Sequence, residues 1–313
     1  MSPVPIQAPA SRAPSASDEQ DWLSVLVAVP AGADPSAWCA LLTNAAHGES
    51  EPLARGCRVI LACPAPISPS CDTAAVEVLV CTGAHLFQLW AAAIQHASGT
   101  YLAVVDARCP PAAGWLLAAR RAVDEAVPAF FGPVSPDEAG GDNVMVEYTL
   151  EYGQFARPVD ANLQEVPGNN FVFRRDLLDA EALAGSEFHK VFFVARLQRR
   201  GTAPRYRDDL EVTYHKRYDR NHYLRRRLAH GRTYAATRMR SAGRLSRLAR
   251  MLTCPAVPWL RLARVVSAVG RKPTLRSALM RHPIYALAAE VAWSLGELLG
   301  YSSGTPGLAR HVD

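Results

Sequence analysis

The chain has 313 residues, 49% hydrophobic and 20% charged, so it is long enough for one large domain with an appended region. The net charge of +5 hides an asymmetry: residues 1–210 hold 15 Lys/Arg and 24 Asp/Glu, whereas residues 211–281 hold 18 Lys/Arg and two acids. A segment this basic is typical of proteins that bind phosphate groups in a nucleotide, a nucleic acid or an anionic membrane.

The seven cysteines are odd in number and show no CxxC spacing, which argues against a zinc site and a disulfide framework. The N-terminus lacks the basic start and apolar core of a secretory signal. The apolar stretch 284–299 is interrupted by Glu290 and Glu297, so it is a poor candidate for a membrane span. We therefore expect a cytoplasmic protein in a reducing compartment.

Residues 1–20 are rich in Pro, Ser and Ala without periodicity, and we expect a disordered tail there. Apolar runs then alternate with helical patterns. The predicted strands are 23–29, 58–62, 76–80, 101–105, 129–134, 171–174 and 210–214. The predicted helices between them are 37–46, 85–97, 112–127, 176–183 and 187–200, the last capped by Ser186. This alternation predicts an α/β fold with a doubly wound, mainly parallel sheet.

The segment from Thr100 to Trp115 gives the strongest functional signal. Its apolar run stops at Asp106, a Pro-rich turn follows, and a helical pattern begins. A buried parallel strand in this setting delivers a charged group to the carboxyl edge of the sheet, where ligands of open α/β sheets bind. The local pattern also allows Asp106 to cap a turn and nothing more.

Six motifs then occur in a familiar order and spacing. They are Val27-Ala28-Val29-Pro30, Gly99-Thr100-Tyr101 before Asp106-Ala107-Arg108, Pro111-Ala112-Ala113-Gly114-Trp115, Gly168-Asn169-Asn170-Phe171, Arg196-Leu197 with Gly201, and Val212-Thr213-Tyr214-His215. The chain resembles the family 2 glycosyltransferases of the GT-A fold, in a bacterial branch with a degenerate Asp-x-Asp motif. The similarity runs from about Leu23 to His230 and extends to Gly304.

The resemblance implies a transferase, of hexosyltransferase type, that moves a sugar from a nucleotide-diphospho-sugar to an acceptor hydroxyl with inversion. The implied acceptor is an envelope or lipid-linked glycan. The implied cofactor is Mg²⁺ or Mn²⁺, bound by Asp106 and His215, which neutralises the leaving diphosphate. The residues implied in donor binding are Pro30, Asp106, Arg108, Gly168, Asn169 and Asn170.

The chain departs from the family pattern at the metal site. The last residue of the Asp-x-Asp motif, the usual metal ligand, is Arg108 here. Asp106 and His215 alone would supply one carboxylate and one imidazole to a metal ion. One hypothesis is that Arg108 faces the diphosphate and replaces part of the metal's charge, as a guanidinium can. The alternative is that Arg108 is a solvated loop residue.

A second departure concerns the general base. Counting back from Arg196 reaches His189-Lys190, where the family has acidic residues. We expect Glu187 to be the base and His189 to be the second candidate, since imidazole can do this work near neutral pH. Glu187 would otherwise only favour a helix N-terminus, and His189 would be a surface residue.

A third departure concerns recognition of the nucleotide. The family's Asp after the second strand is missing, and Asp72 lies several residues further on. The residue that contacts the nucleotide base is therefore unassigned.

The expected domains are a tail 1–20, a GT-A domain 21–218, a basic helical region 219–304 and a tail 305–313. Helices are predicted over 221–249, 257–269 and 275–299, where arginines alternate with Leu and Trp. This mixture suits a helix on an anionic bilayer surface, so we expect a peripheral protein at the inner face of the cell membrane. A solvated face is the alternative; few aromatics and no motif argue against nucleic acid.

Two other functions stay open. The changed Asp-x-Asp motif, acidic pair and second-strand Asp all fit a GT-A-shaped protein that has lost catalysis and acts as a binding or scaffolding partner. The second alternative is a basic module that binds membranes or nucleic acid, and charge alone supports this hypothesis.

Overall fold

The structure, a computed structural model, describes residues 6–7, 21–45, 51–68, 74–160, 163–239 and 243–304. Most of the predicted N-terminal tail, Asp72 and the C-terminal tail lie outside the described residues. The chain forms two compact units. The sheet unit comprises residues up to 135 together with 159–215, and the helical unit comprises 136–158 together with 216 onward. Segment 136–158 therefore belongs with the C-terminal helices.

The described strands are β1 Ile6–Gln7, β2 Leu23–Ala28, β3 Cys57–Cys63, β4 Val76–Cys81, β5 Tyr101–Asp106, β6 Ala129–Phe131, β7 Val134–Pro136, β8 Asn170–Arg174, β9 Arg205–Tyr206 and β10 Val212–Tyr214. Eight of them form one mixed sheet in the order β1-β4-β3-β2-β5-β8-β6-β9, and β7 pairs with β10 in a small second sheet. Strands β2, β3, β4 and β5 are parallel, whereas β8 runs antiparallel between β5 and β6.

The predicted α/β fold with a mainly parallel central sheet and a C-terminal helical region is confirmed. Every residue of β2 and β5 is buried, which is why both strands are continuous apolar runs in the sequence. Ala28 at the end of β2 pairs with Asp106 at the end of β5. The predicted carboxylate therefore lies at the carboxyl edge of the central strand.

Seven helices are described before residue 216, six of them in the sheet unit, and the last of them corrects a prediction. They are α1 Ser36–Ala45, α2 Glu51–Ala54, α3 Leu86–His96, α4 Trp115–Asp124, α5 Gly141–Tyr152 (in the helical unit), α6 Ala180–Ala184 and α7 Lys190–Arg199. The prediction that α7 starts at Glu187 with Ser186 as its cap is wrong, because His189 occupies the N-cap with extended backbone. Phe188 N donates to Phe87 O at 2.9 Å, which holds this segment against the start of α3.

Two further predictions are corrected within the sheet unit. The predicted strand 129–134 is divided, because β6 ends at Phe131 and β7 pairs with β10 in the second sheet. Gly132 lies between the two strands, where a Cβ would overlap Leu210 O. The predicted helix 176–183 is a short 3₁₀ turn followed by α6, because the Asp179 side chain accepts from Ala182 N and starts a new helix.

The helical unit contains five more helices, and two predicted ones are each divided. They are α8 Arg220–Arg238, α9 Arg244–Thr253, α10 Val257–Ala268, α11 Pro273–Arg281 and α12 Pro283–Ser303. The predicted helix 221–249 is α8 and α9, with 240–242 outside the described residues. The predicted helix 275–299 is interrupted at Pro283, whose missing N–H makes it a first residue of a helix and a poor interior one.

Helices α8 and α12 pack with their backbones in close approach. A Cβ at Gly231 would overlap Trp293 O, and one at Gly296 would overlap Leu228 O, so only glycine allows this spacing. At the same crossing Glu290 is buried and accepts from Arg227 Nη2 at 2.5 Å and from Arg261 Nε. Small residues and a buried ion-pair network therefore hold the unit together.

Glu147 in α5 is a second buried acid of the helical unit. Tyr285 donates its hydroxyl to Glu147 Oε1 at 2.6 Å, and Oε2 is buried without a partner. Burial raises the pKa of Glu147 to about 7, against the smaller lowering effect of the Tyr285 hydrogen bond. A carboxyl with a raised native pKa retains its proton in the folded protein at pH values where the unfolded chain has lost it.

We expect the free energy of unfolding to fall as pH rises from about 4.5 to about 7, because Glu147 stabilises the fold in its protonated form. Glu147→Gln, which is neutral at every pH, should remove on the order of 2 kcal/mol of this dependence. Urea unfolding of both proteins at pH 5 and pH 7.5 measures it. Equal pH slopes for the two proteins would contradict the assignment.

Candidate active site

Tryptophan side chains hold the end of the central strand. Trp90 Nε1 donates to Val105 O at 2.8 Å and Trp38 Nε1 donates to Asp106 O at 3.1 Å. The ring of Trp38 meets that of Trp115 edge-on, with centroids 5.4 Å apart. All three side chains are buried, so the backbone that carries Asp106 is fixed by hydrogen bonds and by aromatic packing.

The carboxylate of Asp106 is fully buried and is clamped by Arg108. Arg108 Nε donates to Oδ1 and Nη2 donates to Oδ2, each at 3.1 Å, and the backbone N of Arg108 donates to Oδ1 at 3.0 Å. This is the bidentate fork that guanidinium groups make with carboxylates. Because 15% of the Arg108 side chain stays exposed, the cation of this pair lies toward the solvent and the anion lies inside.

The predicted metal ligands do not fit a divalent cation. Both oxygens of Asp106 already accept from Arg108, whose charge opposes that of a metal ion. The backbone N of His215 donates to Arg108 O at 3.0 Å, which places His215 beside this loop, but its side chain is exposed. Across the described ranges, no three His, Cys, Asp or Glu side chains converge as metal ligands.

The two asparagines of the Gly-Asn-Asn motif have different surroundings. Asn170 donates to Leu210 O at 2.6 Å and accepts from Trp115 Nε1 at 3.1 Å, so its amide holds neighbouring segments together. Asn169 donates to Cys109 Sγ at 2.7 Å, and its Oδ1 is buried without a partner. Asn169 therefore has a buried acceptor without a partner beside the Arg108 loop, although its side chain has no solvent exposure.

Pro30 and Gly168 complete the predicted donor-binding set. Pro30 is buried and lies two residues beyond Ala28, the residue that pairs with Asp106. Gly168 O accepts a hydrogen bond from Lys190 Nζ. Both residues therefore border the carboxyl edge of the sheet, where the sequence predicts the nucleotide.

Glu187 lies between two imidazoles, in what we call the His–Glu–His cluster of His85, Glu187 and His189. His85 Nε2 is 3.2 Å from Glu187 Oε1, and His189 Nε2 is 3.0 Å from Glu187 Oε2. The side chains are 7%, 1% and 10% exposed for His85, Glu187 and His189. The ring of Phe87 covers His189 with centroids 4.4 Å apart. The two predicted candidates for the base are thus in direct contact.

The pKa of Glu187 is set by these neighbours. Burial by itself would raise it, but hydrogen bonds and positive charge from His189 and His85 outweigh burial and hold the pKa well below its ordinary value. Glu187 is therefore ionised at neutral pH. A carboxylate that is 1% exposed, with both oxygens engaged, is poorly placed to reach a substrate itself.

Topology places the cluster at the same edge of the sheet as Asp106. His85 follows the parallel strand β4 and is the N-cap of α3, so it lies at the same carboxyl edge. Lys190 lies with its ammonium 3.4 Å from the centroid of Trp90, whose indole holds β5. Sequence reasoning missed His85. Its position directly after a predicted strand, at the edge that binds ligands, is the signal that would have found it.

Comparison with known proteins finds a similar fold in solved structures. No protein-family model and no curated protein matches the sequence. A mannosyltransferase from Pyrobaculum calidifontis, solved with GDP-Man and Mn²⁺, is similar in structure with a TM-score of 0.51. The two share 14% identity, and the match covers 93% of this chain and 91% of that one. TarS from S. aureus matches with a TM-score of 0.39 and 13% identity over 90% of this chain and 92% of that one.

We expect the two buried asparagines to differ in their effect on stability. Asn170→Ala breaks bonds to Leu210 O and Trp115 and leaves these groups unpaired, which should cost about 2–3 kcal/mol. Asn169→Ala, the matched control, loses a contact to sulfur and should cost about 1 kcal/mol. Urea denaturation of both variants tests this. Equal losses would show that Asn170 has no special structural role.

Proposed function

We propose that the chain transfers a sugar from a nucleotide-diphospho-sugar to an acceptor hydroxyl, with inversion, and that the acceptor is an envelope or lipid-linked glycan. The observation that carries this proposal is the buried Asp106–Arg108 pair at the carboxyl edge of the central strand. The fold shared with a mannosyltransferase that was solved with GDP-Man supports it. The six motifs that resemble those of family 2 glycosyltransferases are the sequence basis of the proposal.

In this proposal Arg108 takes the place of a metal at the diphosphate. Asp106 orients the guanidinium through the bidentate contact, and the exposed part of Arg108 faces the phosphate oxygens. A guanidinium offers more donors than one carboxylate accepts, and its fork matches phosphate geometry. Charge that develops on the leaving diphosphate is then stabilised by a donor that is already in position.

Single displacement completes the proposed reaction. The acceptor oxygen attacks the anomeric carbon, its proton passes to a base, and the bond to the diphosphate oxygen breaks with its electron pair. His189 and Glu187 supply the base as a hydrogen-bonded pair. Asn169, with its unpartnered Oδ1, lies beside the Arg108 loop and is the residue we assign to the donor.

A protein that binds a donor and has lost catalysis is the second candidate. Lys190 favours it, since this residue stands where the resemblance places an acid, is buried, and donates to Gly168 O. Calorimetric binding of UDP, GDP and dTDP sugars with and without Mn²⁺ measures donor binding directly. Binding without turnover would identify this second candidate, and no binding by folded protein would contradict both.

We expect transfer, or hydrolysis of the donor, to persist in excess EDTA, because the residues at Asp106 hold a guanidinium in place of a metal. Arg108→Ala should lower turnover by about 100-fold or more, and Arg108→Lys should recover part of it. The control is Arg175→Ala, since Arg175 lies at the opposite edge of the sheet after β8. Loss of activity in EDTA that Mn²⁺ restores would overturn the metal-free role.

The helical unit supports a location at the cytoplasmic face of the membrane. Helix α9 turns its apolar side outward: Leu245, Leu248 and Leu252 are 84%, 54% and 74% exposed. Its Met251 packs inward on a core cluster, and its Arg247 is partly buried. Exposed leucines within a strongly basic segment match the apolar and anionic layers of a bilayer surface. No described helix has the length and apolarity that crossing a bilayer requires.

We expect the full chain to sediment with vesicles that contain anionic lipid and to stay in solution with zwitterionic vesicles. Replacing Leu245, Leu248 and Leu252 together by Gln should reduce the bound fraction at least tenfold, because their apolar area no longer enters the interface. A triple Gln variant of Leu117, Leu183 and Val191, exposed residues of the sheet unit, is the matched control. Equal binding by both variants would contradict the assignment.

A further inference from the structure

The His–Glu–His cluster contains more titratable groups than a single general base requires. A lone carboxylate or a lone imidazole can accept a proton, yet here one buried carboxylate joins two imidazoles through its two oxygens. His85 and His189 come from segments that are far apart in sequence, and His85 contacts Glu187 across 102 residues. Such an arrangement has a structural cost, since all three groups must be taken out of water.

The protonation states follow from the hydrogen bonds. Glu187 is ionised and can only accept, so each histidine donates through Nε2–H when its ring is neutral. The second nitrogen, Nδ1, then carries the lone pair in both rings. The carboxylate thus selects one tautomer for each imidazole, and the atom that can take a proton is Nδ1.

The two rings differ in what surrounds Nδ1. His85 Nδ1 is buried and has no hydrogen-bond partner, so a proton placed there would be an enclosed, unpaired donor. His189 precedes Lys190, which donates to Gly168 O at the end of the proposed donor site. This position makes His189 the candidate for proton exchange with a substrate, whereas His85 Nδ1 is enclosed.

His85 is held in place by its own backbone. As N-cap of α3, His85 donates its backbone N–H to Gln88 Oε1 at 3.2 Å. The neighbouring Phe87 O accepts from Phe188 N at 2.9 Å, which ties the two halves of the cluster together. A fixed imidazole on one oxygen of Glu187 prevents the carboxylate from turning away from His189.

We propose that His85, Glu187 and His189 form a relay in which His189 accepts the proton of the acceptor hydroxyl, Glu187 stabilises the resulting imidazolium, and His85 is the positioning residue that fixes Glu187. The assignment rests on the proposed transferase function. As the acceptor oxygen bonds to the anomeric carbon, its proton moves to His189 Nδ1 and the nucleoside diphosphate leaves with the electron pair. His189 later releases the proton to water, which restores the starting state.

The test compares two replacements of His85 in the full chain. Gln places an amide N–H close to where His85 has Nε2–H, so His85→Gln keeps a donor for Glu187 Oε1, whereas His85→Ala removes it. Nitrogen-15 NMR of histidine-labelled protein reads the tautomer of His189 without any substrate. Turnover of the donor sugar, as kcat and KM, is measured on the same samples. Glu187→Gln serves as the variant that disrupts the cluster at its centre.

We expect His189 to be the Nε2–H tautomer in the wild type and in His85→Gln, and a mixture of tautomers in His85→Ala and Glu187→Gln. His85→Ala should lower kcat by about 10–100-fold with little change in KM, and His85→Gln should recover most of the loss. A purely structural role would change stability and leave the tautomer of His189 in the folded protein unaltered.

Two results overturn the relay. One is a folded His85→Ala protein in which His189 keeps its tautomer and kcat stays within about twofold of the wild type. The other is a wild type in which His189 is not the Nε2–H tautomer. Failure of the proposed function looks different: the wild type then turns over no donor, while the NMR spectra still show whether His85 controls His189.

Discussion

The ion pair between Asp106 and Arg108 is the constraint on which the candidate site depends. A carboxylate with no solvent exposure is strongly destabilised unless a counter-charge and hydrogen bonds accompany it, and Arg108 supplies both from two residues away. The pair closes the turn after β5, and the indoles of Trp38 and Trp90 fix the strand that precedes it. The carboxylate of this pair lies inside and its guanidinium lies toward the solvent, and the proposed contact with a diphosphate depends on this arrangement.

The rest of the edge follows the same change in charge. Lys190 stands where the family resemblance places an acid, and two histidines flank the carboxylate of Glu187. Each departure from the family pattern is a gain of positive charge or a loss of negative charge. In the proposed function, these departures let side chains neutralise the charge of the diphosphate.

Several arginines of the C-terminal half form ion pairs inside the helical unit. Arg226 pairs with Glu151 at 2.6 Å, and Arg227 and Arg261 share the buried Glu290. Trp293 lies under both of the latter guanidinium groups, at 4.7 and 4.4 Å from its centroid. Charge counted from the sequence therefore overstates what a membrane would meet, and the outward leucines of α9 are the more specific feature of that surface.

The sequence by itself determined the buried strands β2 to β5 and β8 and their order, because buried strands are continuous apolar runs and the carboxyl edge follows from their polarity. It did not predict the two-residue strands β1 and β9 or the division between β6 and β7. It also located Asp106, Asn169 and Glu187 near that edge. It misplaced the start of α7 by three residues, since residues 187–189 are held extended by contacts to the start of α3 and not by local preference. The pairing of Arg108 with Asp106 and the choice between the two asparagines were decided only by the tertiary structure, as was the inclusion of His85. Partner selection among buried polar groups depends on which side chains long-range packing brings within about 3 Å, and no local pattern encodes that.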